Sequence, residues 1–245
     1  MSGEVERQRR FYETREHAHL QPRRDDFYAA KLVRTLAHAA GIAPTDRVLE
    51  LGAGFGRFTF ELLGHCDTVV ALDLAPRALA ELEAERAARG IDASRCRTHC
   101  ADLAALEPGA LGERFAFVVG FFLLHHLPDV ADALRRVAGV LAPGGVVAFV
   151  EPNRRNPLFL AQVAFTPDMT WAEERGMFRL SAGGVQRAFA GAGLTPIPVE
   201  RFGFFPPQVV NQLAAGRRFE AWLERRRALA PILPFLLLRA RAPGR

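Results

Sequence analysis

The sequence predicts an α/β fold with a parallel sheet covered by helices on both faces. Three observations lead there. Short β-branched and apolar runs alternate with helical patterns from Arg47 to Glu151, the order that gives right-handed crossovers and a parallel sheet. One of those runs, Phe115–Phe122, is apolar on both faces, as a central strand between two helical layers requires. A glycine-rich turn, Gly52-Ala53-Gly54-Phe55-Gly56, joins the first strand to the first crossover helix, where such sheets bind ligands.

Taken in order, Asp26 caps a helix whose Tyr28, Leu32, Val33, Leu36 and Ala40 recur at helical spacing up to Gly41. Strands are expected at Arg47–Leu51, Thr68–Asp73 and, more weakly, Cys96–Cys100. Helices are expected from about Phe55 to Leu63 and from Pro76 to Gly90. Phe115–Phe122 is the fourth strand, Asp129–Leu141 a helix with a buried stripe, Pro143-Gly144-Gly145 a turn, and Val146–Glu151 the fifth strand. Beyond it the spacing predicts a helix over Ser181–Gly193, a strand over Thr195–Phe204, a basic helix over Gln208–Arg227 and a last strand over Pro234–Arg241. One domain is expected. Its parts are a helical cap (1–41), a ligand-binding half (42–151), an apolar lid insertion (152–180) and the rest of the sheet (181–245).

The 245 residues suffice for one well-buried core. No charge-free apolar run approaches 18 residues and the start is charged, so neither a spanning helix nor a signal peptide is read, and a cytoplasmic protein is expected. Cys66, Cys96 and Cys100 form neither a disulfide framework nor a zinc pair, and no metal site is expected. Net charge is +5, carried almost wholly by arginine, with Lys31 the sole lysine. From Arg201 onward nine arginines face only Glu220 and Glu224. That surplus admits an anionic partner, although a solvated helix face is the commoner outcome.

The glycine turn alone fits either a dinucleotide or another nucleoside ligand. Its spacing is G-x-G-x-G, lacking the later glycine of G-x-G-x-x-G. Glu50 stands two positions before Gly52, where it would repel a pyrophosphate and attract a cation. Asp73 ends the second strand, placed to accept ribose hydroxyls. Asp102 follows the third strand, placed to accept from an adenine amino group.

Taken together, ELGAGFG, ALDL and CADL resemble the first three motifs of the class I, seven-stranded methyltransferases. The stretch from Phe115 to Pro152 resembles that family's fourth and fifth strands with the helix between them, and the likeness runs from about Phe27 to Val150. It implies a Rossmann-like, seven-stranded, mostly parallel sheet whose last strand lies antiparallel beside the fifth. The implied cofactor is S-adenosylmethionine, held by Glu50, Gly52, Ala53, Gly54, Asp73, Leu74, Asp102 and Leu103. Gly120 and Phe121 stand where relatives often place Asp, Asn or Ser, so contact there is through backbone and apolar surface. Tyr12 and Tyr28 resemble aromatic residues that close over the cofactor in relatives.

His125 and His126 follow the fourth strand and are candidates for a base or an acceptor-orienting group. Glu151, with Asn153, is a second candidate pair. The lid carries Leu158, Phe159, Leu160, Val163, Phe165, Trp171, Met177 and Phe178, suited to a hydrophobic, natural-product, quinone-like or lipid-like acceptor of small-molecule biosynthesis. A nucleic-acid substrate is disfavoured, since His125-His126-Leu127-Pro128 stands where amino-directed nucleic-acid enzymes carry an Asn/Asp-Pro-Pro-aromatic motif. A protein substrate, a non-catalytic cofactor-binding scaffold and a homodimer stay open.

Overall fold

The computed structural model describes residues 20–107, 109–157 and 176–244. Chain order is α1 (Phe27–Ala40), β1 (Arg47–Leu51), α2 (Thr59–Leu62), β2 (Thr68–Asp73), α3 (Pro76–Ala88), β3 (Cys96–Cys100), β4 (Phe115–Phe121), α4 (Val130–Val140) and β5 (Leu141–Pro152). After these come α5 (Gly176–Arg179), α6 (Ala182–Gly191), β6 (Thr195–Phe202), α7 (Pro207–Gln212), α8 (Ala214–Glu224) and β7 (Phe235–Arg241). The seven strands form one sheet in the order β3-β2-β1-β4-β5-β7-β6. The first five pair in parallel, whereas β7 runs antiparallel to both β5 and β6.

Strand alternation sorts the core into two layers. Val48, Val119, Phe121, Val146, Ala148 and Val150 pack on one face with Leu32, Val33 and Leu36 of α1 and Leu82 of α3. Leu49, Leu51, Val118, Val147 and Phe149 pack on the other with Leu134 and Val137 of α4 and Phe189 of α6. Asp26 caps α1 by accepting from Ala29 N, as the sequence predicts, and the structure adds Asp129 as the cap of α4 and Ser181 as that of α6.

Three boundaries differ from expectation, each for a local reason. The helix expected from Phe55 begins only at Thr59, because Gly54 and Gly56 take left-handed backbone (φ 53° and 88°) that a helix cannot include. Pro143-Gly144-Gly145 lies inside β5, where the register against β4 shifts between Phe115 and Phe117, so the expected turn is a bulge. The basic helix breaks at Leu213, which is extended (φ −117°, ψ 107°). Arg217 donates to the carbonyls of Val210 and Asn211 left open there.

The topology decides where a ligand sits. Strand order reverses between β1 and β4, so their carboxyl ends diverge and open a crevice. Among the described residues no helix is long and apolar enough to cross a membrane.

Candidate cofactor and acceptor site

Two structures meet at that crevice. The first is built from main chain. Gly52 N and Ala53 N both donate to Leu72 O of β2, which turns the chain sharply after Leu51. A Cβ on Gly54 would meet no atom within 4 Å, although its φ of 53° already disfavours any side chain. The turn is therefore open on the side where a ligand would approach the backbone. Gly56 differs, since a Cβ there would strike Phe60 and Leu82; packing fixes that glycine.

Asp73 binds this turn directly. Its Oδ2 accepts from Gly54 N at 2.8 Å and its Oδ1 from Ala75 N at 2.9 Å. Burial raises its pKa, against the pull of those backbone donors. A carboxylate has about four lone-pair sites, so acceptor capacity remains for ribose hydroxyls beside Leu74. Asp102 accepts from Ala104 N and caps a 3-10 turn that begins at the buried Leu103. It is half-buried at the end of β3, the next strand along the edge.

Glu50 lies within the sheet, 1 % exposed, accepting a 2.5 Å hydrogen bond from Thr59 Oγ1. Burial pushes its carboxyl up to about 8; the Thr59 bond opposes this and the nearby Asp73 charge adds to it. No cation contributes. Arg57, the one basic side chain of the turn, faces away, paired with Asp26 at 2.7 Å over the Tyr28 and Phe58 rings. The open glycine turn, with the buried Glu50 just before it and Asp73 bonded to it, fits S-adenosylmethionine.

The second structure is built from side chains. Glu151, fully buried at the end of β5, accepts from Leu123 N (2.8 Å) and Leu124 N (2.7 Å) with Oε1. Its Oε2 lies 2.6 Å from His125 Nδ1. One carboxyl thus holds the whole loop after β4. The His126 ring is tilted against that of His125 at 3.9 Å and is half-buried. Burial first, then the neighbouring His125, drives its pKa well below the ordinary histidine value, so it stays neutral. Gly176 packs so tightly on the His125 carbonyl that a Cβ there would overlap it, which pins α5 to this loop.

The expected site residues separate accordingly. Gly52, Ala53, Gly54, Glu50 and Asp73 converge, Leu74, Asp102 and Leu103 line the same edge, and His125, His126 and Glu151 form one network. Gly120 has a packing role, because the Phe149 ring occupies its missing side-chain position, 2.7 Å from where a Cβ would stand. Phe121 is buried and stacks on Phe58 at 4.5 Å. Tyr28 is core rather than lid, edge-on to Phe235, with burial raising its hydroxyl pKa. Asn153 does not face an acceptor; its amide donates to Pro231 O and Leu233 O. Tyr12 and lid residues 158–175 lie outside the described residues.

Two features escaped sequence reasoning. Thr59 is Glu50's partner, and only its place in the first turn after the glycines hinted at this. Phe122 is the only described non-glycine residue with positive φ (55°), its ring set 5.9 Å from that of Phe58 and 5.8 Å from that of Phe235. No residue pattern announces such a conformation.

Residues 49–147 match the methyltransferase domain family Methyltransf_12. Aklanonic acid methyltransferase DauC of a Streptomyces species is 27% identical over 183 residues, covering 74% of this chain and 69% of that protein. The ubiquinone biosynthesis O-methyltransferase of Bordetella pertussis is 29% identical over 125 residues, so the chain matches half of that protein's length. The N-methyltransferase NodS of Bradyrhizobium japonicum, solved with S-adenosyl-L-homocysteine, superposes with a TM-score of 0.62 at 18% identity, covering 99% of this chain and all of that one. With the glycine turn, its paired acids and the antiparallel β7 in place, residues 49–147 form a methyltransferase domain, and the chain shares its fold with S-adenosylmethionine-dependent methyltransferases.

Proposed function

We propose that the protein methylates a hydroxyl on a small, apolar acceptor. The observation that carries this is the loop after β4, where Glu151 orients His125 beside His126 in the stretch that follows the Phe122 ring. Phe58 packs against Phe121 and Phe122 just past the glycine turn, and His125 and His126 follow Phe122 after two intervening residues. The relatives named for aklanonic acid and for ubiquinone biosynthesis support an acceptor of this kind.

S-adenosylmethionine, when bound at the glycine turn, supplies a methyl group on a sulfonium. The chain's own residues then have two tasks, alignment and proton removal. Glu151 fixes the loop through two main-chain N–H groups and accepts a hydrogen bond from His125 Nδ1–H, which sets that ring's tautomer and orientation. His126, half-buried beside the Glu151-oriented His125, is the group assigned to take the acceptor's proton. Phe58 and Phe122 present apolar surface that excludes water from the acceptor.

The test is incubation with labelled S-adenosylmethionine and a panel of phenolic polyketides, quinols and matched amines. Label on a hydroxyl product, with His126→Ala slowing it by about 10²-fold or more at neutral pH, is the expected result. Label only on amines, or unchanged turnover in His126→Ala, overturns the reading.

A further inference from the structure

We propose that the outward face of α8 docks the protein on an anionic lipid surface. This helix plays no part in the site above, so the proposal stands whatever the acceptor is. Phe219 and Trp222, three residues apart and so on one face, are 52% and 47% exposed, and Leu213 just before the helix is 57% exposed. Arg218, Arg225, Arg226 and Arg227 are exposed around them.

Charge on this helix is segregated by direction. Its two acids are both turned inward: Glu220 is 3% exposed, accepts from Phe204 N and pairs with Lys31 at 2.8 Å. Glu224 pairs with the same Lys31 at 2.6 Å and accepts from Gly203 N. The outward face therefore keeps its arginines without a compensating acid from the helix. An apolar centre with a cationic rim is complementary to anionic headgroups over an acyl boundary.

Nucleic acid would need the same charge, but it would also need open aromatic faces on which bases stack. Here those faces are taken. Phe219 and Trp222 stack on each other with 15° between planes, and the Arg226 guanidinium lies 4.1 Å from the Trp222 centroid. What remains outward is ring edge and the Leu213 side chain, surface that inserts between lipids rather than pairs with bases.

The test is sedimentation of the full chain with vesicles of phosphatidylcholine alone and of phosphatidylcholine with about a third phosphatidylglycerol. Binding to the mixed vesicles only is expected. The triple variant Arg225→Glu/Arg226→Glu/Arg227→Glu should lower it by about tenfold or more, and Phe219→Ala/Trp222→Ala by several-fold. All these residues are exposed, and an unchanged thermal midpoint will certify that each variant folds. No binding to mixed vesicles, or equal binding by the triple variant, overturns the proposal. So does displacement from the vesicles by polyuridine at matched charge with retention on that polymer, which would assign the face to nucleic acid instead.

Discussion

The two sides of the crevice are built by opposite means. On the β1–β2 side the proposed binding surface is backbone, shaped by glycines and by Asp73, which reaches only from one strand end to the adjacent turn. On the β4–β5 side it is a loop held by one side chain, Glu151, whose three bonds cross 26 to 28 residues of sequence. The first arrangement can lose a ligand contact and keep its shape. The second cannot lose its central carboxylate without losing the loop. The proposed acceptor geometry is therefore coupled to stability more strongly than the proposed cofactor geometry.

The sharpest break in this comparison is Glu151→Ala. It strands two main-chain donors and a histidine in a buried place, at a cost of about 3–5 kcal/mol, read as a shift in the urea midpoint. Glu151→Gln separates loop from chemistry. Its amide oxygen can still accept from Leu123 and Leu124, so stability should fall by only about 1 kcal/mol. Its NH2, however, faces His125 Nδ1 and forces the ring into the other tautomer, so turnover should fall far more than stability. Equal losses of both would assign Glu151 to the fold alone.

The cofactor side should respond in the reverse sense. Gly54→Ala places a methyl group where a ligand would approach and holds it at φ 53°, costing about 1–2 kcal/mol of stability. Asp73→Ala should weaken S-adenosylhomocysteine binding by about 1–3 kcal/mol. The fold also loses stability, because Ala75 N is buried and left without its acceptor, whereas Gly54 N is part-buried and open to water. Calorimetry with thermal melts distinguishes the two quantities; a variant that unfolds with affinity intact would refute the division.

How much of this was readable beforehand follows the same line. The antiparallel β7 followed only from the family resemblance, whereas the alternation of strands and helices and the Asp26 cap rest on local patterns, and so do Gly52, Gly54 and Asp73. Each states its reason within a few residues. The Glu151–His125 pair was visible only as two separate candidates, because the 26-residue gap closes through the β4–β5 pairing. The Leu213 break and the Phe122 conformation had no sequence mark at all. Gly120 carries a packing reason that no local pattern shows, since the Phe149 ring fills its side-chain position.

Glu50 gives a smaller effect with a defined sign. Its folded carboxyl titrates at about 8, above the ordinary value of 4.5. The folded state therefore binds a proton that the unfolded state releases, and the associated stability is full below pH 4.5 and lost as pH rises toward 8. Glu50→Gln should abolish that part of the pH dependence. A cationic ligand favours the ionised form, so S-adenosylhomocysteine, through its ammonium, should bind more tightly as pH rises to about 8, releasing a proton below it. Affinity that is flat from pH 6 to 8, with no proton release in buffers of different ionisation enthalpy, would place the ammonium elsewhere.

The smallest expected change concerns Phe122, where the backbone of the second side meets the aromatic wall. Its N–H donates to Val150 O at 2.8 Å, which holds the residue in left-handed backbone just past β4. That conformation costs a non-glycine residue about 1–2 kcal/mol. The ring, half-buried between Phe58 and Phe235, returns about 1–2 kcal/mol through burial and edge contacts. Phe122→Gly removes both terms, and with the added unfolded-state entropy of glycine the net loss should be about 1 kcal/mol or less. Phe122→Ala removes the ring but keeps the strain, so it should be the less stable of the two. At an ordinary exposed position the order is the reverse, with alanine favoured by about 0.5–1 kcal/mol. Chemical denaturation of the pair thus reads the backbone rather than the ring, and alanine proving more stable than glycine would show that this residue is not held at positive φ in solution.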